Sequence, residues 1–338
     1  MSETICLTTA PPFVEVETGA EPRIDAFDVR ILRDIDAGAP WPEDDAGEVE
    51  AMFCSQPPPN FKAFPNLRWL QIESAGYSHL FPCHLHETNI TVTNVRGVFD
   101  CPIAEWNIAM MINLARDLRT LIRNQDAAIW ERSAQFTGEI RGRTLGIWGY
   151  GGIGRETARL ARTMGMRVHV LARQPGKSRA DSTSVEGTGD PDGSLPDRYF
   201  TAADKAEFLR GLDFLVLTLP LTAKTEGMIG DAELRTLPPG AFVLNPARGK
   251  LIQEQALLAA LREGHLGGAA IDTHYQYPLP PEHPLWSFPN VILTPHISGT
   301  VFSPNYKEDL LRVFRENAAR FVAGRPLLNV IPPTDLES

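Results

Sequence analysis

Residues 144–173 constrain the fold of this 338-residue chain more than any other stretch. A short apolar run of β-forming residues at 144–148 is followed by the letters GYGGIG at 149–154. Apolar residues then recur at helical spacing over 155–164, and a second apolar run covers 167–171. This order of strand, glycine turn, helix and strand predicts a βαβ unit that binds a dinucleotide.

The glycine turn Gly149-Tyr150-Gly151-Gly152-Ile153-Gly154 has the pattern G-x-G-x-x-G. One glycine of the pattern permits the tight turn, one lets the backbone approach a pyrophosphate, and one lets the helix pack against the strand. Free N–H groups and the dipole at the helix start then hold the phosphate charge. A glycine-rich turn in another βαβ fold is the alternative interpretation.

The end of the second strand predicts which dinucleotide binds. An NAD site has an acidic residue there, which accepts a hydrogen bond from the ribose 2′-hydroxyl. This chain has Ala172 and Arg173 instead, with Lys177 and Arg179 close behind. Guanidinium groups match a 2′-phosphate well. We therefore predict NADP(H) as the cofactor, with NAD(H) as the alternative. If these residues do not bind the cofactor, they form a solvated basic loop.

Length and charge limit the other function classes. The length suggests about two domains, and a net charge of −10 argues against nucleic acid or an anionic membrane as the main partner. No apolar run approaches the roughly 20 residues of a membrane span, and the first residues do not resemble a signal peptide. The four cysteines include no C-x-x-C pair, which indicates reduced, buried thiols in a cytoplasmic protein.

The first hundred residues predict a small α/β unit. Its β-like runs, separated by Pro, Gly and Asp clusters, are 27–32, 49–54, 67–72 and 90–95. Ser74, Ala75 and Gly76 directly follow the third run, where small residues let a ligand approach backbone N–H groups. A plain turn is the alternative. His84 and His86 have no further ligands nearby in the sequence, so we interpret them as surface histidines and predict no metal site.

The rest of the chain predicts a larger parallel sheet. A long helix over 102–121 opens with proline, and the domain break lies just before it. Strands and helices alternate from 144 onward, which indicates right-handed crossovers, with strands at 212–219, 240–244, 268–271 and 291–293 and a helix at 254–263. A last helix over 304–322 is expected to return to the first domain. Residues 174–198 lack periodicity and predict a mobile surface loop, either a lid or, as we favour, a tolerated insertion.

Arg248 and His296 each follow a predicted parallel strand at its carboxyl end. Nucleotides bind at that edge of such sheets. An arginine there can bind a substrate carboxylate and polarise a carbonyl, and a histidine can transfer a proton to the alkoxide. A capping arginine and a loop histidine are the structural alternatives, but the pair above a nucleotide site favours catalysis.

Four stretches together resemble the D-isomer-specific 2-hydroxyacid dehydrogenases. They are GYGGIGRETARLA, LTLPLTAKTEGMIG, NPARGKLIQEQALLAALREGHLGGAAID and HPLWSFPNVILTPHISG. The resemblance implies hydride transfer between NADP(H) and a small 2-oxo or 2-hydroxy acid such as glyoxylate or hydroxypyruvate. It also implies an α/β fold in which a Rossmann nucleotide domain, 102–296, is inserted into a flavodoxin-like substrate domain, 1–101 with 297–338. A cleft between the domains and a homodimer formed around 102–145 are implied as well.

The resemblance also assigns roles to individual residues. The loop of Ser74, with backbone at Ala75 and Gly76, would bind the substrate carboxylate. Arg248 would orient the 2-oxo acid and His296 would act as the acid and base. Contacts to the cofactor are implied at the glycine turn and at Arg173, Lys177, Pro220, Ala247 and Asp272.

One residue departs from the family pattern. The family has a glutamate, paired with the catalytic histidine, where this chain has Tyr277. A tyrosine can hydrogen-bond an imidazole but is uncharged at pH 7. Our hypothesis is that His296 is protonated less readily than in relatives, so that carbonyl reduction favours lower pH.

Two other functions remain open at this point. NAD-dependent formate dehydrogenases also lack this glutamate and share the letters HISGT of residues 296–300, but Gly97-Val98-Phe99-Asp100 fits hydroxyacid dehydrogenases better. The C-terminal-binding corepressors of the same superfamily use the nucleotide to drive dimerisation. Arg248, His296 and the carboxylate loop all remain here, which argues against such a scaffold.

Overall fold

The structure is a computed structural model that describes residues 4–9, 27–32, 36, 38–44, 46–179 and 183–337. The chain forms two compact units: Met1–Val98 with Val301–Ser338, and Phe99–Thr300. Each has its own parallel sheet and its own core. The predicted α/β class, with a Rossmann unit inserted in a flavodoxin-like one, is confirmed.

The first unit contains a five-stranded parallel sheet in the order β2-β1-β3-β4-β5. Its strands are β1 (Thr4–Thr8), β2 (Phe27–Ile31), β3 (Val49–Cys54), β4 (Trp69–Ile72) and β5 (Thr91–Thr93). This is the flavodoxin-like order of doubly wound sheets. The sequence predicted β3 with the same limits and β2, β4 and β5 with wider ones, and it missed β1.

Aromatic stacking and a buried amide attach the C-terminal helix to this sheet. The Phe314 ring stacks on Phe53 of β3 at 4.7 Å and on Trp69 of β4 at 5.4 Å between centroids. The Asn317 amide donates to Gln71 Oε1 at 3.0 Å. The expected return of the last helix to the first domain is therefore seen within this unit.

The second unit contains a seven-stranded parallel sheet in the order β12-β11-β10-β9-β6-β7-β8. Its strands are β6 (Thr144–Trp148), β7 (Arg167–Leu171), β8 (Arg198–Phe200), β9 (Phe214–Leu217), β10 (Phe242–Asn245), β11 (Gly268–Ile271) and β12 (Val291–Leu293). Strand β6 lies between β7 and β9, so the crossovers leave it in opposite directions. That switch point is where doubly wound sheets bind their ligand.

Helices cover the sheets as parallel strands require. Those of the described chain are α1 (Asp100–Ala115), α2 (Leu118–Asp126), α3 (Gly152–Thr163), α4 (Lys205–Arg210), α5 (Asp231–Thr236), α6 (Glu254–Arg262), α7 (Tyr306–Val322) and α8 (Pro333–Leu336). Short 3₁₀ turns occur between them, such as Gly249–Leu251 after β10. The sequence did not predict α4, α5, α8 or β8.

Two predictions of local structure are wrong. The single helix over 102–121 is two helices, because Asp117 adopts the left-handed conformation at φ 45° and ends the first one. Aspartate tolerates this conformation better than most residues. The second error concerns residues 174–198, which are not purely a surface loop: Thr183 and Asp190 are buried. Residues 180–182 of that stretch lie outside the described residues.

The four cysteines and the H-x-H pair of residues 84–86 differ in part from the sequence predictions. All four cysteines are free, but only Cys6 and Cys54 are buried, so the prediction of buried thiols is wrong for Cys83 and Cys101. Metal-ligand atoms of His84, His86 and Glu87 lie within 4.8 Å of one another. The His84 Nδ1 and the His86 Nε2 lie 3.9 and 3.7 Å from the Glu87 Oε1. None of the helices in the described ranges has the length and apolar character that a bilayer-spanning segment needs.

Candidate active site

The glycine turn between β6 and α3 leaves room for a ligand at its centre. Gly149 has φ 103°, and a Cβ there would lie 2.8 Å from the Thr218 carbonyl oxygen. A Cβ on Gly154 would lie 2.5 Å from the Gly149 oxygen, so helix and turn require glycine to pack. A Cβ on Gly151 would meet only the Arg179 Nη1, at 3.7 Å. The turn therefore has the open centre and close flanks that a dinucleotide pyrophosphate needs.

Arg173 and Lys177 lie beyond the carboxyl end of β7, as predicted. Both side chains are exposed. Within the described ranges neither has an acidic partner. A guanidinium and an ammonium without counter-charges are suited to a phosphate group.

The stretch after Arg173 is fastened to the glycine turn by contacts that sequence reasoning missed. The buried Asp190 carboxylate accepts from Tyr150 Oη at 2.6 Å and from the Ser194 N–H at 3.0 Å. Arg155, only 5% exposed, donates to the carbonyl oxygens of Asp190 and Lys177. Its guanidinium lies 4.7 Å from the Tyr150 ring centroid. These contacts give the segment a fixed place against the turn.

Arg248 is positioned by the asparagine that ends β10. The Asn245 Oδ1 accepts from the backbone N–H groups of Ala247 and Arg248 at 3.1 and 3.2 Å, and Nδ2 donates to the Arg248 carbonyl at 2.8 Å. The Arg248 guanidinium also donates to the Ala247 oxygen at 2.7 Å. Asn245 is 1% exposed. It thus fixes the turn that presents Arg248 at the carboxyl edge of the sheet.

His296 lies in a turn built around Asp272. Its backbone has φ 58°, and its N–H donates to the Asp272 carbonyl at 2.8 Å. The fully buried Asp272 carboxylate accepts from the hydroxyls of Thr294 and Ser298, each at 2.5 Å, and from the N–H groups of Ile297 and Ser298 at 2.9 and 3.1 Å. Asp272 therefore shapes the His296 turn; its contact with the nicotinamide amide stays a prediction.

The surroundings of the His296 ring favour its neutral form. Loss of water from part of the ring, followed by the positive charge of Arg248, lowers the pKa of His296. The negative charge of Asp272 opposes this shift only in part. Since the neutral imidazole is favoured, a lower pH is needed to protonate the ring.

Tyr277 lies beside His296 but its hydroxyl is used elsewhere. The two ring centroids are 5.6 Å apart, at an angle of 50°. The Tyr277 hydroxyl accepts from the His274 N–H at 3.1 Å. Of the described groups, none hydrogen-bonds the His296 ring. The hydrogen bond from tyrosine to the imidazole that the sequence allowed is not formed, and the one described contact of the hydroxyl is as the acceptor of the His274 N–H.

The loop after β4 in the first unit has two unused donors. Ser74 Oγ donates to the Gly76 carbonyl at 2.8 Å, and Asn94 Nδ2 donates to the Ala75 carbonyl at 2.8 Å. The N–H groups of Ala75 and Gly76 have no acceptor among the residues that the structure describes. Adjacent unsatisfied N–H groups in a turn form an anion site. This geometry fits the predicted carboxylate loop.

Glu73, next to this loop, was not singled out from the sequence. Its carboxylate accepts from the Ser55 hydroxyl, but its buried Oε2 atom has no hydrogen-bond partner in the described chain. Burial raises the pKa of Glu73. The neutral form of the Glu73 side chain is favoured as a result. A neutral side chain would repel an anion at the neighbouring N–H groups less than a carboxylate would.

Comparisons with known proteins show which family the chain is similar to. Residues 108–298 match the family described as D-isomer specific 2-hydroxyacid dehydrogenase, NAD binding domain. A glyoxylate reductase of Thermococcus kodakarensis is 32% identical over 281 residues, covering 81% of this chain and 78% of the relative.

Two solved structures are similar over nearly the whole chain. A D-isomer specific 2-hydroxyacid dehydrogenase from Xanthobacter autotrophicus, in complex with NADPH and MES, is 28% identical with a TM-score of 0.78, covering 98% of this chain and 99% of that one. An NADPH-dependent glyoxylate/hydroxypyruvate reductase from Sinorhizobium meliloti, in complex with NADP and sulfate, is 26% identical with a TM-score of 0.78 and the same coverage of 98% and 99%. The chain therefore belongs to the D-isomer specific 2-hydroxyacid dehydrogenase family, and it is a nicotinamide-dependent oxidoreductase of 2-hydroxy and 2-oxo acids.

Proposed function

We propose that this protein reduces small 2-oxo acids such as glyoxylate or hydroxypyruvate with NADPH, and oxidises the corresponding 2-hydroxy acids in reverse. The observation that carries the proposal is the placement of Arg248 and His296 after β10 and β12, in the unit whose β6 leads into the glycine turn. The names of relatives support the substrate class, since they include glyoxylate and hydroxypyruvate reductases. Neither formate oxidation nor a nucleotide-sensing scaffold gains support from these relatives.

The residues divide the reaction between them. The N–H groups of Ala75 and Gly76 bind the substrate carboxylate, and Arg248 orients the 2-oxo acid and polarises the C2 carbonyl. A nicotinamide cofactor, when bound, would supply the hydride for C2. Protonated His296 donates its proton to the carbonyl oxygen, which leaves a hydroxyl on the product and a neutral imidazole that regains a proton from water.

NADPH is the proposed cofactor because of the residues around the turn. The glycines accommodate a pyrophosphate, and Arg173 and Lys177 offer positive charge where a 2′-phosphate lies. Pro220, exposed after β9, and Ala247, beside Arg248, are proposed as further contacts. Two solved relatives hold NADPH or NADP, which agrees with this preference.

A direct assay tests the proposal. Purified protein with hydroxypyruvate or glyoxylate should consume NADPH at about 1–1,000 turnovers per second, an ordinary enzyme rate. NADH in place of NADPH should give a lower kcat/KM. Faster turnover with NADH would refute the cofactor preference, and no turnover of any 2-oxo acid would refute the reaction.

Tyr277→Glu tests the effect of the departure from the family. A carboxylate beside the His296 ring should raise the pKa of His296 by about 1 unit or more. Because the protonated ring is the donor, the fall of the reduction rate with rising pH should move to higher pH. The matched neutral variant Tyr277→Gln should leave the pH profile where it is. Identical profiles in the glutamate and glutamine variants would contradict a charge effect.

Assembly, domain limits and compartment are proposed from further observations. A homodimer formed around 102–145 would cover exposed apolar side chains on and after α1 and α2, namely Ile112, Leu118, Ile122, Ile129 and Trp130. Light scattering should then give the mass of two chains.

We keep 1–101 with 297–338 as the substrate domain and 102–296 as the nucleotide domain. Free thiols agree with the cytoplasm, which microscopy of a tagged chain would test.

A further inference from the structure

The segment after β7 returns to the glycine turn and is held there at several points. Tyr150 donates to Asp190, Arg155 donates to two carbonyl oxygens of the segment, and the Gly189 N–H donates to Glu156 Oε2 at 2.6 Å. The Arg179 N–H donates to the Pro191 carbonyl at 2.8 Å, so the backbone of Arg179 is fixed within the segment. Arg179 therefore reaches the turn from an ordered backbone.

The Arg179 side chain reaches the edge of the open centre of the turn. Its Nη1 lies 3.7 Å from the position of a Cβ on Gly151, and apart from Gly151 and its chain neighbours no other heavy atom of the described residues lies within 4 Å of that position. Gly151 is also the residue that precedes the first turn of α3. A guanidinium at this place faces the backbone that approaches a pyrophosphate.

A buried carboxylate lies next to the turn. The buried Asp100 carboxylate lies against Gly152, where a Cβ would clash with it. A pyrophosphate bound at the turn would add about two more negative charges near this carboxylate. The Arg155 guanidinium contacts two carbonyl oxygens and the Tyr150 ring.

We propose that Arg179 binds the pyrophosphate of the cofactor, and that the segment after β7 exists to carry this arginine back over the glycine turn. The inference rests on the proposed function, since it requires a dinucleotide at the turn. It gives Arg179 a role distinct from that of Arg173. A pyrophosphate is common to NADH and NADPH, whereas only NADPH carries the 2′-phosphate.

Direct binding of both cofactors separates the two roles. Titration of nicotinamide fluorescence should show that Arg179→Gln raises the Kd of NADH and NADPH by the same factor, about 10- to 100-fold, the loss expected for a charge-assisted hydrogen bond. Arg173→Gln should raise the Kd of NADPH alone. Arg210→Gln, which removes an exposed arginine at the end of α4, should change neither and controls for net charge.

A lysine variant and the wild-type protein complete the binding experiment. Arg179→Lys keeps the charge without the guanidinium fork, so it should bind both cofactors more tightly than Arg179→Gln does. Such a partial recovery would show that the weak binding of the glutamine variant is not due to misfolding. Unchanged Kd values in Arg179→Gln, or a rise for NADPH alone, would overturn the pyrophosphate role while leaving the proposed function intact. A wild-type protein that binds neither cofactor would overturn the proposed function, and this inference with it.

Discussion

His296→Gln should lower kcat for 2-oxo acid reduction by about 100- to 10,000-fold, the usual contribution of a positioned general acid. Glutamine keeps a polar side chain in the turn but cannot give up a proton at neutral pH. The turn itself should survive, because the buried Asp272 carboxylate holds it through Thr294, Ile297 and Ser298, and through the backbone rather than the imidazole. The variant should therefore bind NADPH as the wild type does.

The pH profile gives the second readout for His296. Partial burial and Arg248 lower the pKa of His296, so wild-type reduction should fall as the pH rises through that lowered value. In His296→Gln this fall should vanish along with the activity. The control is His274→Gln, at a neighbouring histidine whose Nε2 lies 2.8 Å from the Thr294 oxygen. An amide can donate the same hydrogen bond, so this variant should keep most of its activity and still show the fall with rising pH, at a somewhat higher pH because His274 is the smallest of the causes that lower the pKa of His296.

Near wild-type turnover in His296→Gln would exclude this histidine as the proton donor. Loss of NADPH binding in the same variant would show instead that the ring supports the site structurally. The comparison with His274→Gln matters because both histidines lie near Thr294 and the Asp272 turn. The proposed mechanism predicts that His274 is dispensable for activity and that His296 is not.

The sequence predicted the nucleotide unit well because its information is local. Residues 144–173 combine two apolar runs, a glycine pattern and helical spacing, and each follows from contacts within about thirty residues. The structure moves the start of the helix from Arg155 to Gly152, since the glycines themselves form its first turn. Arg248 and His296 could be placed at the sheet edge for the same reason: each follows a recognisable strand.

What the sequence did not reveal depends on partners far apart in the chain. Residues 174–198 have no periodicity, so nothing local indicates that Asp190 meets Tyr150, 40 positions away. The break of the predicted long helix depends on one backbone angle at Asp117. Asn245 is a further case, because an asparagine at the end of a strand is ordinary in a sequence. Its three hydrogen bonds to the Arg248 turn are visible only in the structure.

Arg248→Gln should lower kcat/KM for 2-oxo acids by about 100- to 1,000-fold, the loss expected when one donor to a developing oxyanion is removed. Glutamine cannot supply the positive charge or the fork that binds a carboxylate. The turn should hold, because Asn245 contacts the backbone of residues 247 and 248 rather than the guanidinium. NADH and NADPH binding should change little, which fluorescence titration would confirm.

Arg248 also acts on His296, and this provides a sharper test. Its charge lowers the pKa of His296, so Arg248→Gln should raise that pKa and move the fall of the residual reduction rate to higher pH. Arg248→Lys keeps the charge, so its pH profile should stay near that of the wild type while kcat/KM still drops for want of the fork. A lysine variant with full activity would mean that charge alone suffices. If the glutamine variant loses activity without any shift in its pH profile, the charge of Arg248 does not affect the pKa of His296. Arg248 would then act on the substrate carbonyl alone.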